Sequence, residues 1–286
     1  MNLAGNLLRF FIYSNLFIAC CAVVMTIQVY DLLLDIAPSV GLLAFIFFAT
    51  ICSYSFHWYL TPAVMENATP RERWLEKYKN VHLALFFPGL AGVVISSFFL
   101  LGHWPWLLLS ALITFLYSAP KIPHRYFHSL RKVALAKTIF LAFVWMYVTT
   151  ILPLEISDKP WRTEFTIFAA ARFFLIYAIC ILFDYRDREH DKKVGIRSLI
   201  TWLSYRHITV LFVLSLLVFG LLTCLLWNYG FSKAVVILLL LPGLITAMLY
   251  RYASRHFSDM LYYFILDGLM ALSPLLTIIF SGRQSN

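Results

Sequence analysis

The chain has 286 residues, of which 62% are hydrophobic and only 13% are charged. Soluble globular proteins carry about 25% charged residues, so this composition excludes an ordinary soluble domain. The net charge of +9 does not indicate nucleic-acid binding, because the basic residues are spread over short loops and no basic domain holds them. The length suits one membrane domain, which we expect to cover residues 1–286.

Apolar runs long enough to cross a bilayer recur along the whole chain. Helices satisfy their own backbone polar groups in lipid, and these runs have the length of membrane helices. The sequence therefore predicts an all-α, polytopic membrane protein with a single bundle of about nine transmembrane helices. The candidate spans cover residues 8–30, 36–60, 81–101, 104–120, 133–154, 164–184, 206–227, 233–250 and 260–281.

The segment after the second span carries a pattern that is typical of a helix start. Thr69 is a candidate N-cap, Pro70 suits the first helical position, and Glu72 completes a capping box. We expect a short amphipathic helix within residues 66–80, over the mouth of the bundle. Its charge pattern is also typical of a solvated helix face.

The distribution of Lys and Arg predicts the orientation of the bundle. The even-numbered loops hold 17 of the 23 basic residues, whereas the odd-numbered loops between spans hold only Lys159, Arg162 and Lys233. Cytoplasmic loops carry the excess of positive charge. We therefore expect an integral membrane protein with its N-terminus and its even-numbered loops in the cytoplasm.

Two ionisable side chains, Arg172 and Asp267, fall inside apolar spans. Charges within a membrane are costly and have a functional or paired role by default. An ion pair between the two is one hypothesis, but the sequence does not show that they meet. The cysteines lie in apolar spans without metal-ligand spacing, and we interpret them as packing residues. They are Cys20, Cys21, Cys52, Cys180 and Cys224.

An aspartate-rich stretch directly follows the sixth apolar run. Asp184, Asp187 and Asp191 stand at i, i+3 and i+7, so a continuing helix would place all three carboxylates on one face. Hard oxygen ligands at this density suit Mg²⁺, which prefers one or two carboxylates together with substrate phosphates. The stretch therefore hints at a diphosphate substrate. The alternative is a solvated loop that is neutralised by the neighbouring Arg and Lys side chains.

The same residues resemble a known family. The pattern D-x-x-D-x-x-x-D from Asp184 to Asp191, followed by K-x-G-I-x-S-L, resembles the second aspartate-rich motif of the UbiA superfamily of membrane prenyltransferases. The string Leu116–Lys121 resembles that family's Tyr-Ser-x-Pro signature. The resemblance implies nine membrane helices, with the aspartate motifs on the cytoplasmic side. It also implies Mg²⁺-dependent transfer of a prenyl group from a prenyl diphosphate to a lipophilic acceptor, for which an aromatic compound is the expected class.

The chain departs from the family at the first acidic motif, N-D-x-x-D-x-x-x-D, near the end of the second span. Its positions are occupied by Ser53, Tyr54, His57 and Thr61, so the three carboxylates of that motif are absent. One Mg²⁺ site at Asp184, Asp187 and Asp191 fits the sequence, and a second does not. We predict that these three aspartates are the catalytic and metal-binding residues. The predicted substrate-binding residues are Ser53, His57, Tyr117, Lys121 and Lys137.

Loss of one motif leaves alternatives to the enzyme open. Lys121, Lys137 or His57 would supply fixed positive donors in place of the lost metal, if the protein turns over. A catalytically silent homologue that binds a polyprenyl lipid, or assists a partner enzyme, is the main alternative. A small transporter is a third, but the chain lacks the paired, broken helices that are expected of internal repeats.

Overall fold

The computed structural model describes residues 3–61, 69–119, 137–193 and 198–282, and all regular elements within these ranges are helices. The short helices are α1 (Leu3–Tyr13), α4 (Pro70–Lys77) and α9 (Leu199–Trp202). The longer helices are α2 (Leu16–Leu34), α3 (Val40–Tyr59), α5 (Lys79–Phe98), α6 (Trp104–Ser118), α7 (Lys137–Ile156), α8 (Thr163–Lys193), α10 (Tyr205–Tyr229), α11 (Lys233–Ala253) and α12 (Leu261–Phe280).

Eight helices within the described ranges are long and apolar enough to cross a membrane. They are the longer helices other than α6, which has 15 residues and corresponds to the predicted fourth span. The prediction of an all-α, polytopic bundle is confirmed. The protein is therefore an integral membrane protein that crosses the bilayer several times. Residues 120–136, which follow α6, lie outside the described ranges.

The predicted first span, residues 8–30, is wrong at its start. The chain forms two helices there, because Asn15 adopts a left-handed backbone conformation with φ of 69°. Asparagine tolerates this conformation better than most residues, so it separates α1 from α2. The span that follows runs from Leu16 to Leu34, and it ends with a π-helical turn from Tyr30 to Leu34.

Helix α8 continues well past its predicted end at residue 184. It runs to Lys193 and therefore includes the whole run from Asp184 to Asp191. Helical geometry thus persists through the aspartate-rich stretch, as the spacing argument required. α8 is also the most buried of the membrane-spanning helices, so it forms the centre of the bundle.

The short helix predicted between residues 66 and 80 is present as α4. The Thr69 hydroxyl accepts a hydrogen bond from the Glu72 backbone N–H at 3.2 Å, and Glu72 accepts one from the Thr69 N–H at 2.7 Å. These two bonds form the predicted capping box. The Trp74 ring packs edge-on against Phe10 and Tyr13 of α1. α4 is therefore anchored on the N-terminal helix.

Arg172 is buried in the middle of α8 and does not pair with Asp267 within the described ranges, so the hypothesis of an Arg172–Asp267 ion pair is not supported. Its partners belong to two other helices. The guanidinium donates to the carbonyl oxygens of Met25 at 3.1 Å and Thr149 at 2.9 Å, to the Thr150 hydroxyl at 2.9 Å, and to Gln28 Oε1 at 2.6 Å. Gln28 in turn donates to the Thr277 hydroxyl at 3.0 Å, which links the cluster to α12.

Close packing of α3 against α5 leads to a stability prediction. A methyl group on Gly89 would lie 3.0 Å from the backbone nitrogen of Cys52 and 3.1 Å from its Cα. Backbone atoms cannot move aside cheaply, so we expect Gly89→Ala to lower the free energy of unfolding by about 1–3 kcal/mol. Thermal unfolding in detergent measures this.

The matched control is Gly220→Ala in the middle of α10. Among the described residues, no heavy atom apart from the backbone of the same helix and the adjacent residues lies within 4 Å of the added methyl group at Gly220. Alanine is favoured over glycine in a helix by about 1 kcal/mol, so this variant is expected to keep or slightly raise the unfolding temperature. Equal unfolding temperatures for the two variants would contradict the close α3–α5 approach.

Candidate active site

Asp184 is the first carboxylate of the aspartate-rich stretch, and it is buried against the beginning of α7. The Thr138 hydroxyl donates a hydrogen bond to Asp184 Oδ2. The Lys137 ammonium lies 4.0 Å from Asp184 Oδ1. Both oxygens of Asp184 therefore face a donor or a positive charge, and the predicted site residues Asp184 and Lys137 lie close together.

Asp187 lies one turn further along α8, and its side chain is 40% exposed. Arg186 donates to both of its carboxylate oxygens, from Nε at 2.7 Å and from Nη2 at 3.1 Å. Arg186 Nη2 also donates to the Tyr263 hydroxyl at 2.9 Å. The bidentate pair thus connects the middle of the aspartate-rich stretch to the beginning of α12.

Asp191 completes the stretch and differs from the other two carboxylates. The residue is only 5% exposed, yet its Oδ2 atom has no hydrogen-bond partner among the residues that the structure describes. A buried carboxylate oxygen without a partner is costly, which marks this position as a candidate for cation binding. Nowhere in the described ranges do three His, Cys, Asp or Glu side chains group closely enough to hold a metal ion by themselves.

His57 of α3 and Tyr117 of α6 lie against each other. Their rings are stacked with centroids 5.3 Å apart, and the Ser118 hydroxyl lies 3.5 Å from His57 Nδ1. Tyr117 is within electrostatic range of Lys137 and Asp184. The structure therefore joins three predicted substrate-binding residues, His57, Tyr117 and Lys137, to the aspartate-rich stretch.

The positions of the missing acidic motif have other partners. The Tyr54 hydroxyl accepts a hydrogen bond from Trp145 Nε1 at 3.1 Å. The Thr61 hydroxyl donates to the His57 carbonyl oxygen at 2.8 Å. Ser53 is half-buried on α3, one turn before His57. Lys121 lies outside the described residues.

Several residues of this region were not among the predicted site residues. Thr138 holds Asp184, Tyr263 binds Arg186, and Arg71 of α4 stacks on the rings of both Trp58 and Tyr263. By sequence, Arg71 is one of the basic residues of the even-numbered loops, and nothing in its sequence surroundings distinguishes it from the others. The contacts also show that α4 and the end of α8 lie at the same end of the bundle, since both reach Tyr263.

These features define a class: an integral membrane helical protein that gathers carboxylates, cations and aromatic rings at one end of its bundle. The UbiA prenyltransferase family matches residues 75–265, which is about two thirds of the chain. The chain belongs to the UbiA prenyltransferase family. No curated protein and no solved structure matches it. Membership supports a membrane prenyltransferase-type role in general terms. The matched region begins after α3, so it does not include the positions of the missing acidic motif.

Proposed function

We propose that the protein transfers a prenyl group from a prenyl diphosphate to a lipophilic acceptor, with an aromatic compound as the expected acceptor class. The observation that supports this most is the buried Oδ2 atom of Asp191, which has no partner among the described residues and is within electrostatic range of Lys137. An anionic leaving group needs positive charge at the site of bond cleavage. A membrane bundle supplies the apolar surroundings that suit the hydrocarbon part of the substrate.

The residues at the end of α8 fit one Mg²⁺ ion. Asp191 has a buried oxygen without a partner among the described residues, and Asp187, one turn before it on the helix, is 40% exposed although Arg186 donates to both of its oxygens. These two carboxylates, with substrate phosphates and waters completing the shell, match the coordination that Mg²⁺ prefers. When bound, Mg²⁺ would neutralise charge on the pyrophosphate leaving group. Asp184 is less accessible than Asp187, because it is buried against Thr138 and Lys137.

The chain's own residues have separate roles in this proposal. Lys137 supplies a fixed positive charge beside Asp184, within electrostatic range of Tyr117. His57, which is stacked on Tyr117, presents a polar ring near these residues. Aromatic rings near the site would stabilise an allylic cation through their faces and exclude water from it. The rings of Tyr54 and Trp145 pack edge-to-face on each other and belong to this group of aromatic rings.

The direct test is pyrophosphate release by the purified protein. We expect release from a prenyl diphosphate in the presence of Mg²⁺ and a lipophilic acceptor, and its loss on addition of EDTA. The prenylated acceptor should form in equal amount. Absence of release with a range of prenyl chain lengths and acceptors, from folded protein, would contradict the proposal.

A silent homologue is the second candidate function, and one observation favours it. Tyr54 and Thr61 stand where the family has carboxylates, and both have structural hydrogen bonds instead. Tight binding of a polyprenyl lipid without pyrophosphate release would support this function. In both proposed functions, we place the aspartate-rich end of the bundle in the cytoplasm.

The variant His57→Asp tests whether a carboxylate at this position of the missing motif can take part in Mg²⁺ binding. It restores one carboxylate of the missing motif, so we expect the concentration of Mg²⁺ that gives half-maximal activity to fall by about tenfold, the effect of roughly 1.4 kcal/mol of added metal binding. The matched control is His57→Asn, which is polar but uncharged and should leave the Mg²⁺ dependence unchanged. A fall in activity with His57→Asp at saturating Mg²⁺ would show instead that His57 serves as a positive donor.

A further inference from the structure

Arg71 is a buried cation on the short helix α4. Its guanidinium lies between two aromatic rings, with Cζ 4.0 Å from the centroid of Trp58 and 3.7 Å from that of Tyr263. The residue is only 3% exposed. The planes of the two rings stand at 80° to each other, so they cover the guanidinium in part, and the N–H groups at its edge are the atoms through which it can bind a ligand.

Most of those N–H groups have no acceptor. Nη2 donates to Asn15 Oδ1 at a long distance of 3.4 Å, and Asp259 Oδ2 accepts only the backbone N–H of Arg71, at 2.7 Å. Nε and Nη1 have no partner among the described residues, and neither has Nδ2 of the buried Asn15. Buried donors of a charged group are rarely left unsatisfied, because the cost is high. An acceptor other than the described residues is therefore expected here.

The position of Arg71 relates it to the aspartate-rich stretch. The Tyr263 ring contacts the Arg71 guanidinium, and its hydroxyl accepts a hydrogen bond from Arg186. Arg186 in turn donates to Asp187. On the other side, Trp58 directly follows His57 at the end of α3. Arg71 thus lies against the end of the helix where the family's first acidic motif would stand.

The surrounding acidic groups do not occupy these donors. Asp267 on α12 is within electrostatic range of both Arg71 and Arg186, but no ion pair forms between it and either arginine in the described part of the chain. The unfilled donors therefore suit an oxyanion with several oxygens. A phosphate group has that chemistry, and guanidinium groups recognise it well.

We propose that Arg71, supported by Asn15, binds phosphate oxygens of the prenyl diphosphate and so provides permanently the positive charge that the missing acidic motif would have held as a metal ion. This inference rests on the proposed prenyl transfer for the identity of the ligand. It explains how the chain dispenses with carboxylates on α3. A guanidinium cannot be removed by chelation, so one part of diphosphate binding becomes independent of Mg²⁺.

The experiment measures binding of inorganic pyrophosphate to the purified protein, with Mg²⁺ and with EDTA. We expect wild type to bind pyrophosphate weakly in EDTA, and Arg71→Gln to weaken that binding by about 10- to 100-fold, the effect of losing charge-assisted hydrogen bonds. Arg71→Lys keeps the charge and should lose less affinity. Arg73→Gln is the matched control, since it removes an exposed arginine from the same helix.

Each result bears on the inference. Equal pyrophosphate binding in EDTA by wild type, Arg71→Gln and Arg73→Gln, all folded by thermal unfolding, would overturn it. Should Arg71→Gln fail to fold, the apolar variant Arg71→Met carries the comparison, and wild-type affinity in Arg71→Met would overturn it equally. If Arg71→Gln lost binding of phosphatidic acid in nanodiscs while its pyrophosphate binding stayed unchanged, the proposal would be overturned in favour of a lipid headgroup. The assay needs no turnover, so an inactive protein that still shows the Arg71 effect would contradict only the proposed prenyl transfer.

Discussion

Asp191→Ala is expected to lower Mg²⁺-dependent pyrophosphate release by about 10²–10³-fold, the effect of losing 3–4 kcal/mol of transition-state stabilisation. The physical reason is the absence of redundancy. The family resemblance implies two acidic motifs, whereas this chain has only the stretch from Asp184 to Asp191. Of its carboxylates, Asp191 alone is both buried and left with an unpartnered oxygen. Its removal leaves too few ligands for the metal.

Pyrophosphate release at increasing Mg²⁺ concentrations measures this effect. Asp187→Ala should act in the same direction, and it also leaves Arg186 without its bidentate partner. Glu189→Ala is the matched control, because Glu189 lies on the same helix with a side chain that is 63% exposed. Normal turnover in Asp191→Ala would remove the diphosphate-site assignment from this end of α8.

The second large effect concerns stability rather than activity. Arg172→Met should lower the free energy of unfolding by about 2–4 kcal/mol, because Gln28 and Thr150 would lose a charge-assisted partner in a buried setting. The substitution keeps an unbranched apolar chain, so little packing volume is lost. Arg172 holds α2, α7 and α8 together, and Gln28 extends the network to α12. Its loss therefore weakens the bundle at its centre.

Thermal unfolding in detergent gives the measurement. The control is Arg251→Met on α11, which removes an exposed arginine with no ion pair among the described residues. We expect this variant to unfold at the wild-type temperature. A similar result for Arg172→Met would show that its buried hydrogen bonds contribute nothing net. Any activity that Arg172→Met retains below its unfolding temperature should have normal Mg²⁺ dependence, since the residue lies apart from the aspartate-rich stretch.

The two arginine clusters show how buried charge serves different purposes in one bundle. Each guanidinium nitrogen that Arg172 uses has acceptors supplied by the protein, so the residue is satisfied and structural. Arg71 is equally buried, but two of its three guanidinium nitrogens have no acceptor in the part of the chain that the structure describes. The difference in hydrogen bonding, and not in burial, separates the stabilising arginine from the proposed ligand-binding one.

The sequence by itself determined the membrane helices and the local signals. Apolar runs of bilayer length are a property of contiguous residues, so the all-α, polytopic fold could be predicted from composition and length. The capping box of Thr69 and Glu72 involves residues three positions apart, and it was predicted for the same reason. The placement of Asp184, Asp187 and Asp191 along one helix also follows from local spacing once the helix continues.

Only the tertiary structure decided which charged groups meet. Asp184 is held from α7, Asp187 is held by its neighbour Arg186, and Asp191 keeps a free oxygen, although the sequence makes the three look alike. Arg71 and Arg73 stand two residues apart on α4, yet one is buried between rings and the other is exposed. Such differences depend on contacts between residues that are far apart in the chain. Local periodicity carries no information about those contacts, because they arise only when the helices pack.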